Sequence, residues 1–232
     1  MQSLKARLKT FPASLAIHTW DQVFELISSK QHNLPMQQHR ADILLNRTFF
    51  FATLFSVLTP AWIVFEWAVL PWPLWGELGI IRLIAAALFM IIAWLTRKDH
   101  SLHLAMILMG CLLAIPAIFY VLAQPLASTY ELSDLQRLDI QLYSLLPFVI
   151  AAGLSLFPLS LKEFFFFSTP LLAIIIYSSL FVTDHPIYID FTNLWLFILI
   201  LGVSLFSSLN QLRYMISQTS VASYDELTGA LT

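Results

Sequence analysis

Residues 79–96 decide the fold, and they read G-I-I-R-L-I-A-A-A-L-F-M-I-I-A-W-L-T, with Arg82 as the only charged side chain. A helix that crosses a bilayer needs about 20 mostly apolar residues. Backbone N–H and C=O groups find no water in the hydrocarbon core, and a helix satisfies them within its own segment. The stretch therefore predicts a membrane-spanning α-helix.

The composition of the whole chain has the same bias. Of its 232 residues, 59% are hydrophobic and 11% are charged, and the mean hydropathy is +0.78. A soluble domain carries about 25% charged residues. The net charge of −2 gives no reason to expect a nucleic-acid partner. A single cysteine, Cys111, provides neither a disulfide framework nor a metal cluster.

Five further apolar runs accompany the first. The six runs are 48–70, 79–96, 102–123, 140–159, 164–183 and 191–212. We predict an all-α, polytopic membrane protein in which residues 48–212 form six transmembrane helices, in contact with membrane lipids. In residues 1–47, Trp20, Phe24 and Ile27 recur at helical spacing, which predicts an N-terminal amphipathic helix on the cytoplasmic side. A second helix is expected to begin near Met36 and to continue into the first run.

Lysine and arginine predict the orientation, because they are enriched in cytoplasmic loops. If both termini are cytoplasmic, the basic residues that fall on that side are Lys5, Arg7, Lys9, Lys30, Arg40, Arg47, Arg97, Lys98, Lys162 and Arg213. Only Arg82 and Arg137 lie elsewhere, near the outer ends of the runs. The sequence therefore predicts a multi-pass protein with both termini in the cytoplasm.

The segment after the sixth run keeps a helical pattern. Leu209, Leu212, Ile216 and Thr219 are spaced like the a and d positions of a coiled coil. This spacing predicts that residues 213–224 extend the last span as a signalling helix. The alternative is a frayed terminal helix, since the pattern is short.

Residues 225–229, D-E-L-T-G, resemble the opening D-x-L-T-G signature of the GGDEF diguanylate cyclase domain. Asp225, Leu227, Thr228 and Gly229 match, whereas Thr232 stands where that signature has asparagine. The resemblance implies that residues 225–232 begin an output domain that makes cyclic di-GMP, in a bacterial inner membrane. It also implies a homodimer, because two such domains face each other in catalysis. The chain itself lacks the rest of that domain, so we expect no enzymatic activity of its own.

The first hairpin carries a second resemblance. Residues 59–67 read T-P-A-W-I-V-F-E-W, and residues 77–82 read E-L-G-I-I-R. This order is similar to the six-helix receptor domain of quorum-sensing histidine kinases that detect long-chain α-hydroxyketones. The resemblance implies a small lipophilic ligand. Those kinases continue into a phosphoacceptor helix, whereas this chain continues into D-E-L-T-G, so the similarity implies a shared input on a different output.

Charges within membrane spans are costly and are functional candidates by default. Glu66 lies near the outer end of the first run, and Arg82 near the outer start of the second. Because consecutive spans are antiparallel, we predict an ion pair between them. It acts either as a staple of the hairpin or as an anchor for a ligand's polar head group.

Three aromatic residues complete the predicted ligand site. Trp62 and Trp67 flank Glu66, and Tyr143 lies at the outer start of the fourth run, where its hydroxyl could bond a head group. The alternative for all three is an ordinary belt of aromatic residues at the membrane interface. The histidines match no metal or haem motif, so neither a metal nor a cofactor is predicted.

Two functions remain open at this level. In the first, the chain is the sensory input module of a diguanylate cyclase and relays ligand binding through its last helix. In the second, the helices only dimerise the cyclase and hold it at the membrane, with no ligand. A transporter is less compatible with the sequence, since the runs contain almost no polar path.

Overall fold

The computed structural model describes residues 34–98, 101–181 and 187–222, and within these ranges the chain forms helices and turns without a β-strand. The helices are α1 (Leu34–Ala61), α2 (Ile63–Val69), α3 (Leu74–Leu95), α4 (Leu102–Ser128), α5 (Asp134–Leu142), α6 (Leu146–Gly153), α7 (Leu161–Phe181) and α8 (Ile187–Ala222). The predicted N-terminal amphipathic helix and the D-E-L-T-G segment lie outside the described residues.

Five segments among the described residues are long and apolar enough to cross a membrane. They are Met36–Val69, Leu74–Leu95, Leu102–Ser128, Asp134–Leu156 and Phe191–Gln218. The prediction of an all-α membrane protein is therefore confirmed. The fifth predicted run, 164–183, is helical as part of α7 as far as Phe181, but it is not one of these five segments.

The core lies where α1, α3 and α4 pack together and α6, α7 and α8 close the bundle. Small and large side chains alternate at these contacts, and Ala52, Phe89, Ala105 and Met109 are all buried. Small residues allow close helix approach, which matters because lipid provides little hydrophobic drive for helix association. As predicted, the first helix begins well before the first apolar run, since α1 starts at Leu34.

The fourth predicted run, 140–159, belongs to one of the five segments as far as Leu156, but it is not a regular α-helix throughout. A 3-10 turn, Tyr143–Leu145, separates α5 from α6, and a second one, Leu154–Leu156, follows α6. Pro147 has no N–H to donate to the carbonyl of Tyr143, and the N–H of Leu146 bonds that carbonyl instead. At the other end, Pro158 restricts Phe157 to an extended conformation, with φ −112° and ψ 135°.

Candidate functional site

The predicted ion pair is present where α2 and α3 meet, at the connected end of the first hairpin. Nε of Arg82 donates a hydrogen bond to Oε1 of Glu66 at 2.8 Å, and Nη2 lies 2.6 Å from the same oxygen. Glu66 is fully buried, and Arg82 is 8% exposed. The short connection between α2 and α3 brings the two side chains to the same depth, as antiparallel packing requires.

Tyr143 joins this pair because the first 3-10 turn presents it to α3. Its hydroxyl donates to Oε1 of Glu66. The guanidinium of Arg82 lies 4.3 Å from the ring centroid of Phe119 and 5.4 Å from that of Tyr143, within the range of cation–π contacts. Three of the five predicted ligand residues therefore form one cluster. Phe119 was not predicted, since nothing distinguishes it from other apolar residues of its run.

Trp62 and Trp67 take no part in that cluster. Trp62 is 38% exposed and packs on Phe65, and Trp67 is 64% exposed. Neither residue lines the cavity described below. Exposed tryptophans at the end of a span are typical of the membrane interface. Their contact with a ligand stays a prediction.

Asp139 is a further acidic residue at this end and was missed by the sequence analysis. The charges of Glu66 and Arg82 both act on it. Its Oδ2 and the Oε2 of Glu66 are buried, and neither has a hydrogen-bond partner among the described residues. The spacing of Asp139 four residues before Tyr143 was the available signal, because such residues share one face of a helix.

An apolar cavity of about 410 Å³ opens beside Arg82. We call it the Arg82 cavity. Its polar lining residues are Thr59, Arg82 and Ser155. Most other lining side chains are apolar, and they include Phe51, Phe55, Phe89, Leu113, Pro116 and Val149. On the regular helix α3 the lining residues run from Arg82 to Phe89, a length of roughly 10 Å at about 1.5 Å per residue. The cavity is therefore elongated, with a guanidinium at one end.

The other end of the Arg82 cavity is formed by residues 155–157, which belong to an irregular segment, 154–160, that we call the break. Irregular backbone at membrane depth is tolerated where protein satisfies its polar groups. Ser208 of α8 does so twice: its hydroxyl donates to the carbonyl of Phe157 at 2.7 Å and accepts the N–H of Leu159 at 3.0 Å.

More side chains hold the break from both sides. Gln211 and Ser207 of α8 donate to the carbonyl of Ser155. Arg47 of α1 donates to the carbonyl of Leu156 and also to the side chain of Gln211. The residues that close the cavity are thus hydrogen-bonded to α8, the predicted signalling helix.

A second buried ion pair lies beyond the break. Arg40, fully buried, donates from Nε to the carbonyl of Pro158 at 2.9 Å and from Nη2 to Glu163. Glu163 also accepts the N–H of Ser160 at 2.8 Å, which is half of a capping box for α7. Burial alone would raise the pKa of Glu163, but the charge and hydrogen bonds of Arg40 and the bonds from Ser160 outweigh it and lower that pKa.

The predicted signalling residues lie on α8, which is continuous from Ile187 to Ala222. Leu212 is fully buried in a cluster with Met36 of α1, and Ile216 packs against the same cluster. Leu209 is half-buried, and the side chain of Thr219 is outside the described residues. The predicted seam therefore packs in part against α1 of its own chain, which leaves Leu212 covered.

The described residues contain no group of three or more His, Cys, Asp and Glu side chains that could hold a metal ion. No protein-family model, curated protein or solved structure matches the chain. The function must therefore be argued from the geometry of the Arg82 cavity and of the break.

Proposed function

We propose that the chain is a membrane sensory module that binds a small lipophilic molecule in the Arg82 cavity and relays binding to α8. One observation carries this proposal: Ser155, Leu156 and Phe157 line the cavity, and their carbonyls are hydrogen-bonded by α8 and Arg47. A molecule that occupies the cavity therefore touches the residues to which α8 is attached.

The cavity has the form expected of a ligand site. Its volume of about 410 Å³ lies within the roughly 300–1,000 Å³ usual for small-molecule pockets, which are mostly apolar with a few polar groups. An acyl chain fits the apolar walls, and a polar head group fits the end where Glu66, Arg82 and Tyr143 meet. A long-chain α-hydroxyketone has both parts, in line with the resemblance of the first hairpin.

The relay follows from differential affinity. A ligand shifts a conformational equilibrium only when it binds one state better than another. Here the two states differ in the position of residues 155–157, and α8 moves with them because Ser207, Ser208 and Gln211 bond this segment. The downstream end of α8 leads to D-E-L-T-G, so the recipient of the movement is a diguanylate cyclase domain in a homodimer.

The same proposal includes six spans and cytoplasmic termini in a bacterial inner membrane. The 21 residues of α7 extend roughly 31 Å at about 1.5 Å per residue, which matches the roughly 30 Å thickness of a hydrocarbon core. With α7 as the additional span, the break, the Arg40 pair and the end of α8 all lie toward the cytoplasm, where a signal has to arrive.

The first test is the thermal stability of the purified protein in lipid nanodiscs with a series of long-chain α-hydroxyketones. A ligand at 100 times its dissociation constant stabilises a folded state by roughly 2.7 kcal/mol. We expect a saturable rise in melting temperature that depends on chain length. No rise for any member would contradict the proposal and favour a dimerising membrane scaffold without a ligand.

Two glycines provide a matched pair of variants for this test. A Cβ at Gly153 or at Gly202 meets no atom within 4 Å, so both sites tolerate a side chain. Only Gly153 lines the Arg82 cavity. Gly153→Leu should fold and lose the ligand response, whereas Gly202→Leu should fold and keep it. An unchanged response in folded Gly153→Leu would place the ligand elsewhere.

A further inference from the structure

The Arg82 cavity carries an arginine whose charge is already neutralised, and this determines which head group it accepts. We infer that the cavity selects a linear chain with an uncharged oxygen acceptor, such as a ketone, and discriminates against fatty acids. This inference rests on the proposed function. The resemblance of the first hairpin already implies a ketone, and the inference adds the discrimination against a carboxylate.

Arg82 has hydrogen-bond donors that its ion pair does not use. Its ion pair with Glu66 uses Nε and Nη2. A guanidinium has five N–H donors in a planar fork and no acceptor. The two N–H groups of Nη1 stand outside the ion pair, and Arg82 lines the cavity. A head group that enters therefore meets hydrogen-bond donors and has to supply an acceptor.

The single positive charge of Arg82 is already balanced at this end, because fully buried Glu66 contributes one negative charge to the pair. Asp139 places a second carboxyl group near this pair, and its Oδ2 is buried without a hydrogen-bond partner among the described residues. A carboxylate ligand would add a negative charge that Arg82 no longer balances, in surroundings where charges interact strongly.

Fatty acids are the expected competitors for this cavity, because they share the shape of a lipophilic signal that enters from the bilayer. The apolar walls cannot separate two chains of equal length, so discrimination has to come from the head group. Specificity often depends on a repulsive element directed at the wrong ligand. Glu66 and Asp139 are placed to supply that element.

The experiment uses four probes with similar chains and different head groups: methyl undecyl ketone, dodecanol, dodecylamine and dodecanoic acid. Dissociation constants are measured by competition with a fluorescent chain in nanodiscs, at a pH at which the acid is ionised. For the wild type we expect the ketone to bind at least about tenfold more tightly than the acid, equivalent to about 1.4 kcal/mol.

Two variants reverse or reduce this preference. Glu66→Gln exposes the charge of Arg82, so the acid should gain at least about tenfold in affinity while the ketone changes little. Asp139→Asn should shift the ratio of the two dissociation constants, ketone to acid, in the same direction but by less. It tests the inference if Glu66→Gln does not fold. Glu131→Gln removes an exposed carboxylate with the same change in net charge and should leave the ratio unchanged.

The outcomes separate the two proposals. If the chains bind with no preference for a head group, or if the acid binds the wild type as tightly as the ketone, the head-group inference is overturned and the cavity remains a ligand site. If the ratio is the same in Glu66→Gln, Asp139→Asn and the wild type, the two carboxylates do not set it. If none of the probes binds, the ligand function of the cavity fails together with this inference.

Discussion

The described residues include two buried ion pairs at opposite ends of the bundle, and they are built differently. After the predicted orientation we call Arg82 with Glu66 the outer pair and Arg40 with Glu163 the inner pair. In the outer pair the two side chains bond each other, Tyr143 bonds Glu66, and Arg82 lies over aromatic rings and borders a cavity. In the inner pair the two side chains bond each other and also the carbonyl of Pro158 and the N–H of Ser160. The outer pair faces open space, whereas the inner pair holds irregular backbone.

The two pairs differ in what their hydrogen bonds satisfy. A buried ion pair adds little stability by itself, because desolvation offsets the attraction. The inner pair is useful since it satisfies backbone groups that a break in a membrane helix leaves unbonded. The outer pair joins side chains of α2 and α3, and under the proposed function it acts through Arg82, which lines the cavity.

The largest effect is expected from removing one member of the inner pair. Arg40→Leu leaves Glu163 and the carbonyl of Pro158 without their partner, and breaking a buried pair costs about 3–5 kcal/mol. Equilibrium unfolding in detergent measures the loss. Lys162→Leu, at an exposed position of the same segment, should change stability by less than about 0.5 kcal/mol. If the two variants lose the same amount of stability, the buried pair does not stabilise the fold more than an exposed charge does.

The next largest effect should come from replacing each pair as a whole. Glu66→Leu with Arg82→Leu should be close to neutral for stability, because well-packed apolar residues often replace a buried pair without loss. Arg40→Leu with Glu163→Leu should still cost about 2–4 kcal/mol, since two backbone groups lose their partners. If both double variants are neutral, the inner pair does not support the break.

A smaller loss is expected from Ser208→Ala, which tests whether backbone satisfaction extends to α8. The variant leaves the carbonyl of Phe157 and the N–H of Leu159 without the Ser208 hydroxyl, at a cost of about 1–3 kcal/mol. Ser144→Ala removes an exposed hydroxyl bonded to Gln141 and is the control. Ser208→Ala should also weaken the ligand-induced movement of α8. A spin label on Tyr214→Cys, in a background without Cys111, measures that movement.

The smallest effect is a pH dependence of the inner pair. Glu163 lies one residue before the predicted span 164–183, and its folded pKa is lowered. The stabilisation that the ionised Glu163 provides is therefore fully present above the unfolded pKa of about 4.3. It is lost as the pH falls through the lower folded pKa. The stability difference between the wild type and Glu163→Gln should shrink below about pH 4. A difference that grows on acidification would contradict the sign of this pKa shift.

Local features of the site were predictable, and distant ones were not. Glu66 and Arg82 are polar residues near the facing ends of consecutive runs, so a short connection was enough to predict their pairing. Asp139 was missed because its run appeared to begin later, at residue 140. The pairing of Arg40 with Glu163 joins segments that are separated by the five helices α2 to α6. The sequence of neither segment identifies the other as its partner.

The apolar runs are sufficient to predict a helical, membrane-bound chain, because their backbone groups have to be satisfied internally. The position of the Arg82 cavity, the helix that bonds the break and the packing of Leu212 on α1 became known from the structure. An apolar side chain in a membrane has a similar free energy against lipid and against protein, since both surroundings are apolar. Hydropathy therefore does not encode which faces meet, and packing, together with a few buried hydrogen bonds, makes that choice.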